Sequence, residues 1–294
     1  MPLEKRGFDL NRILCRQLQQ EDIAFAYEMT KMEMWNVTIE DVRRMFEFEP
    51  DGCFMAELEG APAGHVFSVT YGKLGWIGLL IIKKEFRRMG IARLLMLKAN
   101  KYLLSRGVQT IRLEAVSEIS ELYRGLGFVD EYDSLRLEGA ATTASSETKS
   151  ISPMSRRMVG EVAKFDAGYF GAKRIKVIER LYEAYPEMCY VSHSGSKILG
   201  YIMVRKAEEG YNLGPWVCIP ERKHIADSLL TACLQQFDKA DPVYLGVPAP
   251  NQSAIEILRN KGFVQFSKSI RMFCGQRLSE RVEGVFAIGG AMKG

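Results

Sequence analysis

Residues 76–92 read WIGLLIIKKEFRRMGIA, and this stretch decides the fold class. Its first part, residues 76–82, is a nearly continuous apolar run that predicts a strand buried on both faces. A turn follows, and an amphipathic helix is predicted for residues 91–106. A buried strand that leads through a short turn into a helix is typical of an α/β protein.

The turn at residues 87–92, Arg-Arg-Met-Gly-Ile-Ala, has the features of a phosphate-binding loop. The first N–H groups of a helix lack internal partners, and the helix dipole adds partial positive charge there. Gly90 lets the backbone approach a ligand without a Cβ, and Ala92 keeps the next contact small. Arg87 and Arg88 add charge-assisted donors. An ordinary helix start with surface arginines can have the same local sequence, so this turn alone does not distinguish it from a phosphate-binding loop.

The rest of the first half supplies alternating strands and helices. Strands are predicted at residues 13–18, 53–58, 64–71, 110–116 and 128–137, and helices at 19–31, 38–49 and 118–125. Thr38 is expected to cap its helix together with Asp41, three residues further on. The fold class is therefore α/β, or α+β, with mixed strands.

The element order repeats after a polar stretch, AATTASSETKS at residues 140–150. Residues 53–55, 64–66 and 122–129 recur as residues 189–191, 200–202 and 257–264. All three matches share a spacing of about 135 residues, which indicates two copies of one unit. The predicted organisation is a first domain at 1–138, a linker at 139–153 and a second domain at 154–294.

The composition, with 47% hydrophobic and 26% charged residues, is that of a globular protein. The net charge of +4 is too small to indicate a nucleic-acid partner. The six cysteines form no Cys-x-x-Cys pair, and the three histidines are not at metal-ligand spacing, so no metal is expected. Without an apolar leader or an 18-residue apolar run, we expect a cytoplasmic protein with no membrane partner.

Two motifs resemble those of a known family. Arg-x-x-Gly-x-Ala at residues 87–92 resembles motif A of the GCN5-related N-acetyltransferases (GNAT), and Leu-Tyr-Arg-Gly-Leu-Gly-Phe at 122–128 resembles the end of their motif B. The resemblance covers residues 14–137. Residues 35–36, 165–171 and 214–216 resemble a two-domain subgroup. The resemblance implies two tandem GNAT-like domains, each a mixed, mainly antiparallel sheet flanked by helices.

The resemblance also implies a site for acetyl-CoA. The strands at 76–82 and 110–116 would splay apart, so that the pantetheine arm pairs with backbone groups of Leu80 and Ile82. The pyrophosphate would bind the loop residues Arg87, Arg88, Met89, Gly90, Ile91 and Ala92. Lys84 stands where the family often has Pro, and Val116 where it often has Asn, which puts one cofactor contact in doubt.

The transfer chemistry needs an acid and a base. Tyr123 stands where the family often places the acid that protonates the leaving thiolate, and the alternative is a tyrosine that only packs between helix and sheet. No Glu occurs on the strand at 76–82, so Glu114 and Glu33 are the candidate bases, and either could instead be structural. Glu33, Trp35 and Trp216, with Tyr211, are candidates for the substrate pocket.

The second half departs from the motif. His224 replaces Gly90, Leu258 replaces Tyr123, and Asn251 is retained. A Cβ and an imidazole would crowd the backbone donors, so this half is predicted to be structural or to shape the substrate pocket.

The function that the resemblance implies is an acetyl-CoA-dependent N-acetyltransferase acting on a primary amine of a small molecule or peptide. A longer acyl-CoA remains an alternative, as does a sensor that binds acyl-CoA without turnover. The sequence leaves open whether the chain forms a homodimer.

Overall fold

The computed structural model describes residues 12–140, 151–237 and 241–294, which form 13 strands and eight helices. The strands are β1 Ile13–Gln17, β2 Phe54–Leu58, β3 Ala61–Tyr71, β4 Leu74–Ile82, β5 Thr110–Ala115, β6 Val129–Ala140, β7 Ile151–Pro153, β8 Cys189–Ser194, β9 Lys197–Lys206, β10 Tyr211–Cys218, β11 Pro242–Pro248, β12 Val264–Gly275 and β13 Val285–Ala287. The helices are α1 Ile23–Met32, α2 Ile39–Phe48, α3 Ile91–Ser105, α4 Ser120–Arg124, α5 Val159–Phe170, α6 Ile175–Ala184, α7 Lys223–Leu234 and α8 Gln252–Asn260. The predicted fold class is confirmed.

The linker prediction at 139–153 falls partly outside the described residues. Gly139 and Ala140 belong to β6, and residues 151–153 form β7. Residues 141–150 between them are not described. Residues 12–140 are called the first half below, and residues 151–294 the second half.

All 13 strands belong to one sheet that runs through both halves. Its order is β1-β2-β3-β4-β5-β12-β6-β11-β10-β9-β8-β7, and β13 pairs with β10. Among the strands of the described residues, only the pairs β4–β5 and β10–β11 are parallel. A long strand near the end of each half is exchanged: β12 lies beside β5 of the first half, and β6 lies beside β11 of the second. Each half therefore completes its sheet with a strand from the other.

The exchanged strands meet on a local two-fold axis. Ser134 of β6 lies opposite Ser269 of β12, and their numbers differ by the repeat spacing seen in the sequence. The repeat detected in the sequence is thus a repeat of structure, with the two copies joined edge to edge.

Helices cover both faces of the sheet. α3 packs on the strands of the first half, while α1 and α2 share one apolar core with α5 and α6 of the second. The predicted capping of α2 is confirmed, because Thr38 Oγ1 accepts from the N–H of Asp41 at 3.1 Å. No helix within the described ranges is long and apolar enough to span a membrane.

Buried charges tie the two halves together at the exchanged strands. Glu114 of β5 has a fully buried carboxylate that lies 2.7 Å from Arg271 Nε of β12 and 3.2 Å from Arg136 Nη2 of β6. Gly246 of β11 stands opposite Arg136, and a Cβ there would lie 2.1 Å from its Nη1. The absence of that Cβ lets the guanidinium reach across to Glu114. Arg271 also stacks over Trp76, with its Cζ 4.5 Å from the ring centroid.

We expect Arg271→Met to lower the free energy of unfolding by about 3–5 kcal/mol, because it leaves the Glu114 carboxylate buried with one of its two arginines. Urea denaturation of the whole chain measures this change. Lys268→Met is the matched control on the same strand: Lys268 pairs with Asp133 in an exposed ion pair, so its loss should cost less than about 1 kcal/mol. Equal unfolding free energies for the two variants would contradict the role given to Arg271.

Candidate functional site

A cleft opens where β4 and β5 separate. The two strands pair from Leu74 opposite Thr110 to Ile77 opposite Leu113, and no pairing is seen between them beyond that point. β4 nevertheless continues to Ile82. The gap between residues 78–82 of β4 and the end of β5 is called the first cleft below, and it is where the sequence predicted two splayed strands.

The backbone of β4 points polar groups into this first cleft. Ile82 lies opposite Gly64 of β3, and the next residue, Lys83, donates its N–H to Ala63 at 2.9 Å. Backbone groups of successive residues in an antiparallel pair point to alternate sides, so the N–H and C=O of Ile82 face away from β3. Leu80, two residues earlier, has the same orientation. Both residues therefore lie where a ligand could pair with β4 as an added strand.

An irregularity in β4 lies where the first cleft begins. The register against β3 shifts between His65 and Phe67, and Leu79 has a φ of 49°, which is unusual for a branched side chain. Bulges of this kind redirect backbone groups near functional sites. His65 is fully buried behind the bulge, and burial lowers its pKa to about 4, so the imidazole is neutral at pH 7.

The predicted phosphate loop follows β4 directly. α3 begins at Ile91 with Gly90 as its N-terminal cap, and no side chain caps this helix start. Gly90 has a φ of 83° and Arg88 a φ of 64°, so the chain turns through two left-handed residues. The φ of Gly90 explains the glycine, because other residues are strained there. The first N–H groups of α3 are thus left available at the end of the cleft.

The structure brings three predicted site residues into direct contact. Arg87 Nε donates to the carbonyl of Ile82 at 3.0 Å, and its Nη2 pairs with the carboxylate of Glu33. Glu33 directly follows α1, so this ion pair closes one side of the cleft mouth. The sequence had placed these residues in one site, but it had not indicated that Glu33 and Arg87 pair.

Tyr123 is buried on α4, with its ring 6.0 Å from that of Phe128. It belongs to the same apolar cluster as Ile82 and Ile91, which flank the cleft and the loop. Burial raises the pKa of the phenol, so Tyr123 carries its proton at neutral pH. This is the protonation state that a general acid requires.

Glu114 is corrected from a candidate base to a structural carboxylate. Its oxygens are held by Arg271 and Arg136 and accept a hydrogen bond from Ser269. Burial alone would raise the pKa of Glu114, but the two arginines outweigh burial and lower it. A carboxylate stabilised in its charged form is a weaker base, and this one has no exposed surface.

Trp216 is also corrected, because it lies in the core of the second half and not on a pocket wall. Its side chain is fully buried, with the ring centroid 5.0 Å from that of Phe286. Tyr211 stacks on Phe237 in the second half at 4.1 Å.

Trp35 is half-buried against the core shared by the two halves. The adjacent Asn36 donates to the carbonyl of Glu209 and accepts from its N–H, both at 2.9 Å, and Asn212 donates to the Asn36 carbonyl. The loop that carries Glu33 and Trp35 is therefore held in place by the second half. A pocket role for Trp35 stays a prediction.

The equivalent cleft of the second half is filled by the chain itself. β10 pairs with β11 only at Tyr211 and Asn212, after which β13 pairs with β10 at Trp216 and Val217. The N–H of Ile288 then donates to Gly246 of β11 at 2.9 Å. Residues 285–288 thus lie between the separated strands, in the position where the sequence placed a cofactor arm in the first half. No local pattern in the sequence indicates this segment.

Asn251 holds this segment in place. Its side-chain amide donates to the carbonyls of Val285 at 2.9 Å and Glu283 at 3.1 Å, while its oxygen accepts from Ala254 to cap α8. The start of α7 also differs from that of α3, since Arg222 precedes it with a φ of −121°. The second half therefore lacks both the open cleft and the left-handed loop.

The same C-terminal segment continues to the first half. Trp76 Nε1 donates to the carbonyl of Ala291 at 2.9 Å, and the Tyr71 hydroxyl donates to that of Lys293 at 3.0 Å. A Cβ at Gly78 would lie 2.5 Å from the Met292 carbonyl, so only glycine permits this contact. Residues 289–294 cross β4 just before its bulge. They build the floor beside the first cleft.

Sequence comparisons agree with the division into two halves. A family model described as Acetyltransferase (GNAT) family matches residues 17–128, and one described as Acetyltransferase (GNAT) domain matches residues 162–287. A protein named holothin acyltransferase, from Pseudoalteromonas sp. (strain SANK 73390), is 24% identical over 257 residues, which cover 87% of this chain and 86% of that protein.

Solved structures share the whole architecture. A protein from Pyrococcus horikoshii assigned as an acetyltransferase superposes with a TM-score of 0.80 and 26% identity, covering 100% of this chain and 98% of that one. A tandem GNAT protein from the clavulanic acid biosynthesis pathway covers 91% of this chain and 100% of its own, with a TM-score of 0.62. At 12% identity, the second comparison shows the fold alone.

We expect the chain to bind one molecule of coenzyme A, because residues 285–288 fill the second cleft. Isothermal titration calorimetry with coenzyme A measures this stoichiometry. A second site on the same chain would contradict the assignment of the second cleft as closed.

Proposed function

Because this chain belongs to the GCN5-related N-acetyltransferase family, with two tandem domains, we propose that its first cleft transfers the acetyl group of acetyl-CoA to a primary amine. One observation carries the proposal: the backbone groups of Leu80 and Ile82 face the cleft that ends at the uncapped start of α3. A pantetheine arm would pair with β4, and the pyrophosphate would bind the N–H groups behind Gly90.

On becoming an amide, the ammonium nitrogen of the acceptor loses two protons, and the sulfur of the leaving group gains one. The amine nitrogen attacks the thioester carbonyl, the C–S bond breaks, and the sulfur leaves as a thiolate. An alkyl ammonium has a reference pKa near 10.4, so deprotonating it at pH 7 costs roughly 4–5 kcal/mol. A carboxylate or water at the cleft mouth must accept that proton.

Tyr123 supplies a proton to the leaving thiolate, and the second proton that the nitrogen loses restores the phenol. Burial raises the pKa of the phenol. A thiolate that forms beside the same apolar cluster would also be desolvated, which raises its pKa and favours its protonation.

The acceptor that we favour is a small molecule. A relative that aligns over most of this chain is named holothin acyltransferase, which supports a small acceptor over a protein. The same name keeps a longer acyl group as the second candidate, because it specifies acyl transfer and not acetyl transfer. A thiol-release assay with acetyl-CoA and longer acyl-CoAs across a panel of primary amines separates the two.

Gly90→Glu should abolish coenzyme A binding, because a side chain and a negative charge would then stand at the helix start where the pyrophosphate binds. Calorimetry with coenzyme A measures the loss. Gly60→Glu is the matched control: Gly60 has a φ of 82°, close to the 83° of Gly90, and lies in the turn between β2 and β3. The backbone strain is therefore similar in both variants, but only Gly90 lies on the phosphate loop.

Normal coenzyme A binding by Gly90→Glu would show that the phosphate site is wrongly placed. Equal loss in both variants would point to general backbone strain and also remove the support for the loop.

Tyr123→Phe should lower kcat by about a hundredfold or more, the range for loss of a general acid, with little change in coenzyme A affinity. Steady-state thiol release and calorimetry measure the two quantities. Tyr102→Phe is the control, since the Tyr102 hydroxyl donates to Glu49 and lies on α3 away from the loop. An unchanged kcat in Tyr123→Phe would exclude Tyr123 as the acid.

A further inference from the structure

We propose that Glu33 and Arg87 form a latch that cofactor binding opens, and that the released Glu33 carboxylate then binds the ammonium group of the acceptor. The proposal rests on the function given above. It assigns to Glu33 the recognition of the acceptor, and it makes that recognition depend on the cofactor.

The latch occupies two groups that the cofactor needs. Arg87 Nε holds the carbonyl of Ile82, which faces the cleft and would otherwise pair with an amide of the pantetheine arm. The same guanidinium pairs with Glu33. Without cofactor, Arg87 therefore bonds both the Ile82 carbonyl on the edge of β4 and the Glu33 carboxylate.

A diphosphate competes well for this guanidinium. Arg87 is 42% exposed and Glu33 25% exposed, and exposed ion pairs of this kind contribute little to stability. A diphosphate carries more negative charge than one carboxylate and is additionally bound by the N–H groups at the start of α3. When Arg87 turns to the diphosphate, the Ile82 carbonyl and the Glu33 carboxylate are released together.

The released carboxylate suits a cationic acceptor. Glu33 follows α1 at the cleft mouth, and its loop is held by the contacts of Asn36 with the second half. Primary amines are ammonium ions at pH 7, and a carboxylate without its arginine is a favourable partner for them.

Glu33 differs from the other acidic side chains near the cleft in its partner. Glu114 is held by two arginines. Glu85, before the phosphate loop, and Glu118, after β5, are exposed, and no ion pair of the described residues joins either of them to the loop. Glu33 pairs with Arg87, so it is the carboxylate that cofactor binding would release.

A double-mutant cycle with neutral substitutions at Glu33 and Arg87 tests the latch. Glu33→Gln should tighten coenzyme A binding about two- to fivefold, the range set by an exposed ion pair, because Arg87 no longer has a competing anion. Arg87→Gln should weaken binding. In the Arg87→Gln background, Glu33→Gln should leave the coenzyme A Kd unchanged, because the competition acts through Arg87.

The second measurement is the KM of the best primary amine in the thiol-release panel. Glu33→Gln should raise this KM about tenfold while coenzyme A binds more tightly, a pair of opposite effects that a purely structural role would not produce. Glu40→Gln is the control: Glu40 pairs with Arg43 on the exposed face of α2 and should change neither quantity.

Each outcome decides a separate point. A Glu33→Gln variant that binds coenzyme A no more tightly than the wild type would overturn the latch while leaving the proposed function intact. Tighter binding with an unchanged amine KM would overturn the role of Glu33 toward the acceptor. A wild-type chain that does not bind coenzyme A would overturn the latch and the proposed function together.

Discussion

In the first half, β5 takes as its antiparallel neighbour β12, a strand from near the end of the chain, and β6 in turn borders β11 of the second half. A strand edge left unpaired in a buried sheet would expose hydrogen-bonding groups at a high free-energy cost. Neither half can meet that requirement with its own strands in this arrangement. The charges of Arg136 and Arg271 around Glu114 add a register-specific contact at the same place. The exchange therefore makes the two halves one folding unit.

The two copies of the fold differ in what occupies the gap between their separated parallel strands. Each half has a pair of parallel strands that separate and leave backbone groups without a strand partner. In the second half, residues 285–288 satisfy those groups, and Asn251 secures them. In the first half the C-terminal segment lies against β4 at Gly78, and among the described residues no strand takes the place of β5 beside Leu80 and Ile82. The first cleft is thus the one in which a ligand would pair with the backbone N–H and C=O groups of β4.

The carboxylates around the cleft show how strongly chemistry depends on the surroundings of a group. Glu114 and Glu33 are the same residue type and were equal candidates in the sequence. The partners of Glu114 come from strands more than 20 and 150 residues away, and they fix it as a buried anion. Glu33 keeps part of its surface and has a partner in the phosphate loop. Only the second arrangement allows a carboxylate to exchange partners during a reaction.

The sequence alone predicted the local elements: the buried strand and turn before α3, the glycine at the start of α3, the cap at Thr38 and the repeat of about 135 residues. These features follow from side-chain periodicity and backbone torsion, which act over a few residues, and from direct comparison of one segment with another. The tertiary structure alone decided which strand neighbours β5, what fills the second cleft, and whether Glu114 and Trp216 are available to a substrate. Those outcomes depend on contacts between residues far apart in the chain, whose energies no local pattern records.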